Sequence, residues 1–73
     1  MVLKEVTIRE IEAIFAVTDP LGISREALVI PLLPRHPGRL RRMPGGRIEI
    51  VVESEGDFAD FLKALPGELA KLA

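Results

Sequence analysis

Five arginines, Arg35, Arg39, Arg41, Arg42 and Arg47, and the only histidine, His36, fall within one stretch that contains no acidic residue. Half of the ten basic residues of the chain are gathered there. The planar guanidinium fork matches the oxygens of a phosphate bidentately, so arginines on one connecting segment can lie along a nucleic-acid backbone or surround a phosphorylated ligand. The stretch has no aromatic residue, and the three Phe of the chain lie on helical stripes. Stacking on bases is therefore not offered, and the chemistry reduces to phosphate contact without base readout. The competing reading is a solvated, arginine-rich connection that offsets the eleven carboxylates and blunts the edge of a small sheet.

The remaining candidates carry less chemistry. Pro34-Arg35-His36-Pro37-Gly38-Arg39 fits the PxxPxR spacing of polyproline ligands, but prolines that stiffen a loop explain the same residues. His36 has no nucleophile or carboxylate beside it in the sequence, and its cationic neighbour Arg35 disfavours the protonated ring. Asp57 and Asp60 lie one helical turn apart, where a cap and a dipole partner are expected rather than an acid/base pair. Gly45-Gly46-Arg47 lacks the Lys-Ser/Thr ending of a phosphate loop and leads into a strand. Ser24 and Ser54 stand in turn-like contexts without a nucleophile elbow. No catalytic residue, metal ligand or cofactor site is assigned, and the chain is not expected to be an enzyme.

These residues must be positioned by a single domain spanning residues 1–73. A chain this short buries only roughly 60% of the surface exposed when unfolded. The absence of Cys and the presence of one His exclude disulfide and zinc staples. With 48% hydrophobic residues and a mean hydropathy of +0.27, the chain carries more apolar surface than one small monomer hides, so a homo-oligomer, a dimer in the first instance, is expected. Asn and Gln are missing and Arg outnumbers Lys, a composition that fits a thermophile, although a GC-rich genome would also favour Arg. The first ten residues show no export signal and no apolar run is long enough to span a bilayer, which places the chain in the cytoplasm and not in a membrane. A net charge of −1 gives no global pull toward nucleic acid.

The elements follow from periodicity. Thr7 and Glu10 have capping-box spacing, and Ile8, Ile11, Ile14 and Phe15 form the stripe of a helix ended by Asp19-Pro20-Leu21-Gly22. Residues 2 to 6 add a possible short strand before it. Ala27 to Leu33 reads as an edge or bulged strand because Pro31 donates no ladder bond. Pro44-Gly45 suits a type II turn, and Arg47 to Glu53 alternates strictly as a strand with Ile48, Ile50 and Val52 on one face. Asp57 then caps a helix whose stripe runs from Phe58 through Leu72, with a kink or restart expected at Pro66.

The sequence thus predicts an α+β domain of order helix, strand, strand, helix, with an antiparallel sheet covered on one face by helices. Its expected role is a noncatalytic, homo-oligomeric interaction or assembly module. The alternative is nucleic-acid or phosphate-ligand binding through residues 35–47.

Overall fold

Helix α1 (Ile8–Thr18) begins where the sequence places it: the Thr7 amide donates to Glu10 Oε1 at 3.2 Å and the Thr7 hydroxyl to Glu10 Oε2 at 2.8 Å. These bonds hold the Glu10 carboxyl below its ordinary pKa, the Thr7 hydroxyl contributing most. The computed structural model describes residues 4–72. The helix stops in a 3-10 turn, Asp19–Leu21, closed by Gly22 at φ 77°, a left-handed conformation that glycine adopts without a Cβ penalty. Arg25 reaches back to Asp19 at 2.7 and 3.2 Å and lies 4.7 Å from the Phe15 ring centroid, tying the following segment to the helix. Ser24 caps the short turn Arg25–Ala27 by accepting the Glu26 amide.

The predicted strand over residues 27–33 shrinks to β1 (Leu28–Val29). Pro31 and Pro34 have no N–H to donate, and the chain leaves the sheet at Ile30. It returns at Arg35, whose amide donates to the Val52 carbonyl at 3.0 Å and whose carbonyl accepts the Ser54 amide at 2.9 Å. The expected short strand over residues 2–6 lies outside the described residues at 2 and 3. From Lys4 to Val6 there is no strand, only a Val6 amide bond to the Leu32 carbonyl at 2.8 Å.

The arginine-rich stretch is not a connection. Arg39–Met43 is strand β2, which pairs antiparallel with β3 (Arg47–Val51) through the Pro44–Gly46 turn, where Gly45 takes the φ 82°, ψ 14° of a type II turn. β3 pairs in parallel with β1 on its other side, giving a three-stranded mixed sheet in the order β1-β3-β2. The α+β class and the helical cover on one face are as expected; the expected antiparallel pairing of the first and last strands is corrected to a parallel one, because β2 enters as a third strand and reverses the chain before β3.

Helix α2 (Phe58–Leu72) runs without a restart through Pro66, whose lost donor costs one bond while the apolar stripe stays in phase. Its first turn is held by Asp57, with Oδ1 accepting the Ala59 amide at 2.9 Å. Ile14 of α1, Leu65 and Leu69 of α2, Ile50, Val52 and Val6 form the buried cluster. Each such side chain contributes about 1.5–3 kcal/mol by leaving water. The α1 stripe is rotated from the predicted one: Ile8 is 71% exposed, and Thr18 is fully buried, its hydroxyl donating to the Phe15 carbonyl.

Candidate binding cleft on the open sheet face

Strand alternation divides the arginines before any ligand is considered. The pairs Arg39/Val51 and Arg41/Glu49 share the face that the helices leave open, whereas Leu40/Ile50 and Arg42/Ile48 share the covered one. On the open face the strand residues meet the segment 31–37, which passes over the end of β3. Between them lies a cleft of about 480 Å³ with Pro31, Leu33 and Val51 as its apolar part and Arg35, Arg39 and Arg41 as its cationic part. Arg35 sits opposite Glu53 on the β1 side of the central line, and Arg39 opposite Val51 on the β2 side. The two guanidinium-bearing residues therefore flank the apolar floor from both sides.

Glu53 organises this arrangement. Its Oε1 accepts the Gly38 amide at 3.0 Å, and its Oε2 accepts His36 Nδ1 at 2.7 Å and the Glu55 amide at 3.1 Å. These donors, the Gly38 amide first, hold the Glu53 carboxyl down to about 2. His36 is shifted the other way, raised by its hydrogen bond to Glu53 and then by the charges of Glu53 and Glu55. The sequence reading of His36 is corrected here: its carboxylate partners arrive from 17 and 19 positions away and outweigh the adjacent arginine. Gly38 is required by contact. A Cβ there would stand 2.5 Å from the Glu53 amide nitrogen and 2.8 Å from the Val51 carbonyl oxygen, both backbone atoms.

Of the five predicted contact residues, Arg35, Arg39 and Arg41 line the cleft and Arg42 and Arg47 do not. Arg41 is tied to Glu49, Nε to Oε1 at 2.6 Å, with Glu49 only 17% exposed. Arg35 and Arg39 form no ion pair among the described residues. Arg42 donates to the Leu72 carbonyl at the end of α2, where a cation suits the helix dipole. Arg47 faces the open side beside the turn, opposite Met43. The Pro34–Arg39 segment is bonded along the sheet end through Arg35 and Gly38 rather than presented as an isolated polyproline edge.

Sequence reading missed Glu53 and the apolar floor. Val51 and Glu49 were visible on one face of the alternation, but which segment would lie over them was not. Asp57 serves as a cap, and Gly45-Gly46 as a turn, as expected. Among the described residues no three carboxylate or imidazole groups come together as a metal site, and no helix is long and apolar enough to cross a membrane. No protein family, curated protein or solved structure matches the chain.

Proposed function

We propose that this chain is a noncatalytic interaction module that holds a phosphate-bearing ligand in the open-face cleft. The observation that carries the reading is the approach of Arg35 and Arg39 from opposite sides of the central strand, neither with an ionic partner among the described residues. Guanidinium groups left in this state gain by closing on an oxyanion bidentately. Exposed Leu33, beside buried Val51, gives a sugar or aliphatic body an apolar contact but no stacking surface, so a row of phosphates is the ligand chemistry rather than any base sequence.

Fluorescence anisotropy with a labelled oligothymidylate and with inorganic polyphosphate as competitor tests this. Both should bind, with a log–log salt slope no steeper than about −2 for three single-strand phosphate contacts. The Arg35→Ala/Arg39→Ala double variant should lose binding while Lys63→Ala, on α2, keeps it. No binding at low salt, or equal loss in the Lys63 variant, removes the reading.

Self-association is a second reading, favoured by Leu32 and Leu33, which are 60% and 69% exposed side by side. A concentration-independent monomer in sedimentation equilibrium would exclude it; a dimer that dissociates in Leu32→Ser/Leu33→Ser would support it.

A further inference from the structure

The sheet ends at β2. Among the described residues, Arg39–Met43 pairs with β3 alone, and its outer edge has no backbone partner. Alternate residues of an edge strand turn N–H and C=O outward, ready for another strand. Beside this edge, between β2 and α2, is a second groove of about 340 Å³ lined by Leu40, Phe61, Ala64 and Leu65, with Arg39 and Glu68.

We infer that this edge and groove take an extended acidic segment of a partner protein as a fourth strand. The chemistry of the occupant is set by what β2 already accepts on its inner edge. There β3 places Glu49 opposite Arg41 on the open face, joined at 2.6 Å, and Ile50 opposite Leu40 on the covered face. A strand on the outer edge meets the same alternation. Its open-face side chains lie beside Arg39 and Arg41, which stand about 7 Å apart at two-residue strand spacing. The residue between them turns into the groove against Leu40, Phe61 and Ala64. The segment selected is therefore acidic–apolar–acidic: main-chain bonds hold the strand, charge sets its face and one apolar side chain sets its register.

A second copy of this chain fits poorly. Its own β2 would bring arginines opposite arginines, and its β3, the strand with the right alternation, is already bonded on both sides. This site shares Arg39 and Arg41 with the open-face cleft, whereas Ala64, Phe61 and Leu65 line the groove alone, so a change at the groove tests this site without the other.

The probe is a fluorescein-labelled peptide with a core of alternating Glu and Val, blocked at both ends. It is compared with two versions N-methylated on one or the other alternate set of residues. The parent peptide should bind the full chain, one N-methylated version should bind at least tenfold more weakly, and the other should bind as the parent does. Ala64 is exposed on α2, so Ala64→Tyr fills the groove without a change of charge or disturbance of the core. That variant should weaken the peptide tenfold or more and leave polyphosphate binding unchanged. A peptide unaffected by either N-methylation pattern, or by Ala64→Tyr, is held by charge alone, as a nucleic acid would be, and overturns the assignment. Absence of peptide binding at low salt overturns it as well.

Discussion

The two faces of the β2–β3 hairpin use the same backbone for different ends. On the covered face Leu40, Ile48 and Ile50 pack toward Ile14, Leu65 and Leu69, and no buried side-chain polar atom among the described residues lacks a hydrogen-bond partner. On the open face the adjacent positions are Arg39, Arg41, Glu49 and Val51, and the segment 31–37, not a helix, borders the cleft that they line. A strand period of two makes the separation complete, since a side chain cannot serve both faces. The main apolar cluster is thereby on one side, and the other holds buried Val51 among charged side chains, of which Arg35 and Arg39 have no ionic partner among the described residues.

The comparison breaks first at Ile50, which is fully buried. Ile50→Ala should cost about 3–4 kcal/mol, enough to unfold much of so small a domain, and Ile50→Val about 1 kcal/mol. Urea titration followed by circular dichroism reads both, as the chain has no Trp or Tyr. A cost below about 1 kcal/mol for Ile50→Ala would mean that the covered face is not the stabilising one.

Next in size is Gly38→Ala, expected to cost about 1–3 kcal/mol because the new methyl meets backbone of β3 and its extension that cannot turn aside. A neutral result would show that the overlying segment is not packed on the strand.

The pH response of that segment is smaller and has two limbs. Glu53, lowered from 4.5 to about 2, contributes stability above its usual value that is lost as pH falls toward 2. His36, raised from 6.5, contributes fully below 6.5, and that contribution disappears as pH rises through the raised value. Both are present between about 4.5 and 6.5. His36→Ala should flatten the upper limb of stability against pH and shorten the lower one, since the ring is one of the donors that hold Glu53 down, and Glu53→Gln should flatten both. An upper limb unchanged in His36→Ala would separate the ring from the latch.

The smallest effect on stability belongs to Arg35→Ala/Arg39→Ala, expected within about 0.5 kcal/mol of the parent even as the cleft loses its ligand. A larger loss would make these arginines part of the scaffold and erase the division between faces.

What the chain discloses before folding follows the range of the interactions. The Thr7–Glu10 cap, the Pro44–Gly45 turn, the β3 alternation and the α2 stripe are local, and each was legible. β2 was not, because Arg39-Leu40-Arg41-Arg42-Met43 is poor in strand formers and owes its conformation to β3 opposite it. The truncation of β1 is the converse: Leu32 and Leu33 look like strand residues, but Pro31 and Pro34 interrupt the ladder. At the candidate site the cationic cluster could be read from composition. Its division into Arg35, Arg39 and Arg41 against Arg42 and Arg47 required the register, and the Glu53 latch required a contact spanning 17 positions.

The unequal support of β3 also bears on how the domain opens. One flank is joined by a five-residue ladder closed by a three-residue turn, the other by two paired residues, Leu28 and Val29, drawn from 20 positions upstream, and by the single Arg35–Glu53 bridge just past the end of β3. A short ladder closed over a long loop has the least to lose by separating, so the β1 flank is the seam along which local unfolding begins. In native-state hydrogen exchange the amides bonded between β2 and β3 should outlast those bonded between β1 and β3, and the domain should open like a book hinged at the hairpin.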